Sequence, residues 1–361
     1  MRSLRPIAAA RRVAAASAVA LALTAGAAAG VPAAQAGVPG CSWQPLTLIN
    51  GWHSEQSAWS TGDPSYCATS DGMVYLSGSL AGGSLDQFAA LPAGNWPAHT
   101  TYLSVYTFGG TPGVVRVDTD GTIDAYGGNA TQFTSLAGVS YASAAVAQTP
   151  ITPIVNGWAS ANSAYHTGDP SYAVSNGVAH LSGSVLYPNG SPWSTSWNFA
   201  DLPPAIRPTG CFATQVYTFA GSTGYVTVDH QGNISGANPQ YASLAGVSYP
   251  VGNVPWQALD LVNGFGNYSL AGCNNASYYI GSGVIYLTGY ITFNGPFTGE
   301  LGVLPAGARP THNLYLVVYG GSPSTNYVTL EIDTNGVMWV ANAGGTVPCI
   351  QLDGLSYRTG S

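Results

Sequence analysis

Leu136-Ala137-Gly138-Val139-Ser140-Tyr141 returns as Leu244-Ala245-Gly246-Val247-Ser248-Tyr249 and, with two changes, as Leu352-Asp353-Gly354-Leu355-Ser356-Tyr357. The closing tyrosines stand 108 residues apart both times. A period of that length is domain-sized, so it marks three tandem copies of one unit and not a solenoid of short repeats. Other landmarks recur at nearly the same step. Asn50-Gly51-Trp52, Asn156-Gly157-Trp158 and Asn263-Gly264-Phe265 open the copies, and Leu91-Pro92, Leu202-Pro203 and Leu304-Pro305 divide them. Small polar residues from Ala142 to Thr149 and a proline-bounded stretch from Pro250 to Pro255 read as linkers. The units are therefore placed at 45–144, 150–251 and 255–360.

Within a unit the apolar period is two. Met73–Gly78, Gly177–Ser182 and Gly283–Thr288 are short and rich in β-branched and aromatic residues, as are Tyr102–Phe108, Cys211–Phe219 and Asn313–Tyr319. Valine-rich runs end in Asp118-Thr119-Asp120-Gly121, Asp229-His230-Gln231-Gly232 and Asp333-Thr334-Asn335-Gly336, each a hairpin signal with glycine supplying positive φ. Short strands at regular spacing predict an all-β chain of three tandem β-sandwich (jelly-roll-like) modules with negligible helix.

The chain has 361 residues, 46% hydrophobic and 6% charged, with 47 glycines and 24 prolines. Low charge and high hydrophobicity exclude disorder. Arg2, Arg5, Arg11 and Arg12 precede an Ala/Val/Leu run and the small-residue pattern Ala34-Gln35-Ala36, the layout of a cleaved signal peptide at 1–36. General secretion is favoured over twin-arginine export, because the residues flanking Arg11-Arg12 do not fit the latter. Removal of 1–36 leaves four arginines, no lysine and fifteen acids, a formal charge of −11. Such a chain is a poor partner for nucleic acid and for anionic membrane surfaces. No later stretch is long and apolar enough to read as a membrane span. The expected location is extracellular.

The order Asn-Gly-Trp, a Gly-Val strand ending Leu-x-Gly, Leu-Pro-Ala-Gly-x-Arg-Pro, then a valine strand into a glycine turn resembles small β-sandwich modules at the ends of bacteriophage tail and baseplate proteins and in secreted repeat proteins of Gram-positive, actinobacterial-type bacteria. Leu304-Pro305-Ala306-Gly307-Ala308-Arg309-Pro310 matches best, followed by Leu202-Pro203-Pro204-Ala205-Ile206-Arg207-Pro208. The first copy departs, with Trp96 where arginine is expected. The resemblance implies surface attachment, often to carbohydrate, and sometimes trimeric assembly. It brings no catalytic residues, and its motifs are turn and core positions.

A sugar ring presents a C–H face that stacks on aromatic rings while Asp, Asn and Ser bond its hydroxyls. Aromatics kept in all copies (Trp52, Trp158, Phe265, Tyr66, Tyr172, Tyr278 and the closing tyrosines) are read as core or corner residues. Those the copies do not share are the binding candidates: Trp59 with Tyr165, Trp96, Trp193 and Trp339. Asp63 and Asp169, in Thr-Gly-Asp-Pro-Ser-Tyr, are added as hydroxyl acceptors, against the alternative that Gly-Asp-Pro is simply a turn opener. The Asp118–Asp124 segment resembles a calcium loop only faintly, and the other copies discard its carboxylates, so no metal or other cofactor is implied. Histidines share no spacing, no nucleophile elbow is present, and the glutamates Glu55, Glu300 and Glu331 lie in no shared motif.

Five cysteines lie beyond the signal. In an oxidising compartment Cys41–Cys67 and Cys273–Cys349 are the expected disulfides, with Cys211 a buried thiol, although other pairings are open. The favoured expectation is a secreted, non-enzymatic binding protein whose partner is a neutral polysaccharide or cell-surface glycan, held by three linked weak sites. An extracellular structural or assembly protein is the alternative, and a polysaccharide-cleaving enzyme the third.

Overall fold

A computed structural model describes residues 41–188, 198–218, 223–237, 240–268, 272–293, 299–320, 327–341 and 349–360. Residues 1–36, read from sequence as a signal peptide, and Trp193 lie outside them. The chain is all-β, as its period-two pattern predicts, and helix among the described residues is confined to single turns such as Gln56–Trp59 and Asn162–Tyr165.

In the first repeat a four-stranded sheet runs in the order Gln44–Pro45, Ser65–Ala68, Met73–Ser77, Ser140–Ala142. A seven-stranded sheet is centred on Thr101–Thr107 and Thr111–Val117. The third repeat repeats both orders. In the second, the larger sheet is described in two parts joined by an isolated bridge between Thr218 and Ala242. The ladders are antiparallel. In each repeat the inward side chains of both sheets meet in one core, for example Val74 and Leu76 with Phe88, Leu103 and Val115. That arrangement makes each repeat a sandwich.

The shared motifs are structural. Trp52, Trp158 and Phe265 are buried in their respective cores. The closing Tyr141, Tyr249 and Tyr357 are buried too, and their hydroxyls donate to the carbonyls of Asn95 (2.7 Å), Ile206 (2.9 Å) and Ala308, just after each Leu-Pro step. The departure at Trp96 has a physical reason. Its Nε1 donates to Leu91 O at 2.8 Å, while Arg207 and Arg309 donate Nε to Leu202 O (3.0 Å) and Leu304 O (3.2 Å). Two different side chains supply one N–H to the same carbonyl.

The three sandwiches form one compact unit over Val38–Ser361. Their seams are alike. Thr100 N donates to His166 O (3.2 Å), Cys211 N to Gly272 O (2.7 Å) and Asn313 N to Ser60 O (2.8 Å), linking first to second, second to third and third to first. The glycine of the closing motif fits the same cycle: Gly246 faces Leu103, Gly354 faces Thr214 and Gly138 faces Leu316, each from the neighbouring repeat. One head-to-tail contact used three times closes a ring. A single chain thus adopts the arrangement of a cyclic trimer.

The cysteines correct the sequence reading. Cys41 pairs with Cys67, but Cys273 pairs with Cys211 and Cys349 is a free, buried thiol. The expectation assumed that partners lie within one repeat. Ring closure instead places Cys211 beside Cys273 across the seam, where Cys211 N bonds Gly272 O. Cys349 occupies the position of Phe133 and Tyr241, and burial raises its pKa.

Candidate functional site

The residues nominated from sequence scatter. Trp59 is half-buried in an aromatic cluster at the seam of first and third repeats, its ring 4.7 Å from Phe133 and edge-on to Tyr315 at 5.5 Å. Tyr165 packs edge-on against Tyr241 at 4.9 Å. Trp96 caps the Leu91 carbonyl against the first core. These three rings are engaged in packing and do not line a common surface. Asp63 and Asp169 are exposed, and each accepts a hydrogen bond from a serine of its own repeat, Ser54 (2.7 Å) and Ser160 (2.6 Å).

Trp339 is different. It is 48% exposed on the Val337–Ala341 strand of the third repeat. Glu331 stands directly opposite on one neighbouring strand and Glu300 on the other. Tyr315 is opposite Glu331 in turn. Directly paired residues share a sheet face, so Tyr315, Glu331, Trp339 and Glu300 form a transverse row. Tyr315 OH donates to Glu331 Oε1 at 3.1 Å. Burial raises the Glu331 pKa against the lowering effect of that bond. The corresponding rows carry Tyr102, Arg116, Asp124 and Gln87 in the first repeat and Ala213, Thr227, Ser235 and Asn198 in the second. In the first, Arg116 pairs with Asp124. Asp124 and Ser235 stand at the Trp339 position in these rows, so the Trp339 platform is not repeated in the other two copies.

A second place was not nominated. Near the point where the three repeats meet, the small sheets contribute Tyr75, His180 and Tyr286, equivalent positions in the repeats and all buried. They line a cavity of about 110 Å³ with residues of the three hairpin turns, Asp71, Asn176 and Ser282. The turns follow from Asn176-Gly177 and Ser282-Gly283, in which both residues have positive φ. Asp71 Oδ2 accepts from Asn176 Nδ2 at 2.7 Å and from Ser175 Oγ. Burial pushes the Asp71 pKa up, but the hydrogen bonds from Ser175 and Thr69 outweigh it and hold the group below the usual carboxylate range. Arg358, 5% exposed, lies over the Tyr75 ring at 5.3 Å and reaches Ser282 O at 3.5 Å. Burial keeps His180 neutral, with a pKa of about 4. The signal that could have found this site was present: Tyr/His/Tyr, Asp/Asn/Ser and Ala/Pro/Arg at equivalent positions of the repeats.

No group of acids, histidines and cysteines suited to a metal ion occurs among the described residues, and no described helix is long and apolar enough to cross a membrane. No family profile, no curated protein and no solved structure matches the chain.

Proposed function

We propose that the protein is an exported, non-enzymatic binding body that attaches to neutral glycan through the Trp339 face of its third repeat. The observation that carries this reading is the exposed indole of Trp339, flanked on its own sheet face by Glu300 and Glu331. An aromatic platform with carboxylates on either side offers stacking for a sugar ring and acceptors for its hydroxyls. Those glutamates project from one sheet face with Trp339 between them, in contrast to the pair facing across a cleft that glycoside hydrolysis uses. Attachment at one face replaces the three-site avidity expected from the repeats.

The test is retention on insoluble polysaccharides together with a glycan array. Trp339→Ala should abolish retention with an unchanged far-ultraviolet spectrum, and Trp339→Phe should keep part of it. Wild-type protein that no glycan retains would end the reading. The closed ring favours a second reading, a rigid exterior assembly unit, since its seams repeat a single head-to-tail contact. Light scattering of a stable higher assembly without glycan retention would select it. Export through the segment 1–36 is part of the proposal, and N-terminal sequencing of secreted protein should begin at Gly37.

A further inference from the structure

The cavity between Tyr75, His180 and Tyr286 holds chemistry that the repeat fold does not require. Arg358 stands where the other copies have Ala142 and Pro250, and Asp71 where they have Asn176 and Ser282. The same sandwich therefore forms without either charge. Both charges nevertheless line one cavity, contributed by different repeats. We propose that this cavity binds a small zwitterion of the free α-amino-acid type, its carboxylate toward Arg358 and its ammonium toward Asp71.

The choice of ligand follows from the lining. A net anion would be attracted by Arg358 but repelled by Asp71, and a net cation the reverse. With Arg358 buried and Asp71 partly buried, such terms are larger than in bulk solvent. A ligand carrying one charge of each sign satisfies both at once, and a guanidinium suits a carboxylate geometrically. Neutral His180 and the phenols of Tyr75 and Tyr286 add hydrogen-bonding groups without changing this balance. Val178 and Val284 supply the apolar wall. At about 110 Å³ the space suits a side chain no larger than that of a small amino acid. The proposal does not depend on glycan binding.

The experiment is calorimetric titration of the full secreted chain at neutral pH with glycine, L-alanine, glycine ethyl ester and N-acetylglycine. Glycine and alanine should bind, with the ester and the acetylated compound weaker by at least about tenfold in Kd. Asp71→Asn, a change in a surface turn, should weaken glycine binding by about the same factor and erase the preference over N-acetylglycine. Trp339→Ala should bind glycine as the wild type does, which separates this site from the glycan face. Absence of binding by both amino acids, or equal binding of glycine and its blocked derivatives, would overturn the proposal. The ligand comparison stands even if Arg358→Gln fails to fold.

Discussion

Gly168 of the second repeat lies against the imidazole of His99 in the first, so closely that a Cβ there would come within 2.5 Å of the ring Cδ2. Gly62 meets His312 in the same way at 2.6 Å. At the remaining seam the partners are exchanged. Gly210 holds the histidine position, and its Cβ would stand 2.6 Å from Asn274 Oδ1, at the position of the other glycines. Each seam admits one bulky group, on either side, because the interface is packed like an interior.

Gly168→Ala should therefore lower stability more than a glycine change at similar backbone strain. Gly177 is the control: its φ of +75 matches the +76 of Gly168, yet no atom lies within 4 Å of its would-be Cβ. Gly177→Ala should cost about 1–2 kcal/mol for the left-handed backbone. Gly168→Ala should cost about 1–3 kcal/mol more for overlap with His99. In a His99→Ala background the two costs should converge. Urea denaturation of the wild type, the three single variants and the two double variants measures this.

Covalent closure of the second seam predicts a specific loss. Cys211→Ser with Cys273→Ser removes a bond between the second and third repeats and should reduce stability by about 2–4 kcal/mol. Replacing Cys349, which is free, should have no such effect beyond its packing. Non-reducing peptide mapping should recover Cys211 with Cys273 and a single alkylated thiol at Cys349.

Two buried groups set opposing pH dependences. Asp353 accepts from Thr288 Oγ1 (2.5 Å), Gly289 N (3.0 Å) and, across the seam, Ala213 N (3.4 Å), but burial outweighs these bonds and lifts its pKa to about 6. The folded chain then binds the proton more tightly than the unfolded one, so this acid removes stability as pH rises from about 4 to about 6. His180, facing Asp71, Tyr75, Tyr286 and Arg358, is held near 4 by burial and removes stability as pH falls from 6.5 toward 4. Each effect is about 3 kcal/mol, so the two largely cancel in the wild type between pH 4 and 6. Asp353→Asn should unmask the histidine and make stability fall with acidification across that range, read from chemical denaturation at several pH values. A flat Asp353→Asn profile would contradict the assignment.

Trp96→Arg should be tolerated. Arg207 and Arg309 already make the equivalent bond to the Leu202 and Leu304 carbonyls. Trp96→Phe keeps an aromatic ring but removes the donor to Leu91 O, and should cost about 1–3 kcal/mol through an unsatisfied carbonyl. Thermal unfolding of the two variants should rank arginine above phenylalanine.

Much of the scaffold was legible in the chain itself. The period of 108 residues, the alternation in strands such as Thr101–Thr107 and the turn glycines reflect local rules of backbone conformation and sidedness, which neighbouring residues carry between them. Core assignments for Trp52, Trp158 and Phe265 followed because a group kept bulky in every copy is kept for packing. The site was less legible. Trp59 and Tyr165 were unshared and so resembled surface platforms, but Trp59 packs on Tyr315 across the seam and Tyr165 on Tyr241 of its own repeat. Trp96 differed from its counterparts in residue type and not in bond.

Sequence alone determined that three copies of one strand-rich sandwich follow one another, because side-chain alternation and turn chemistry act over a few residues. Tertiary structure alone decided that the copies close into a ring, that Cys211 meets Cys273, and that Asp71, His180 and Arg358 line one cavity. Those juxtapositions bring together residues at least 62 positions apart. No local preference encodes them, since they arise only when the same packed contact is made three times around a common centre.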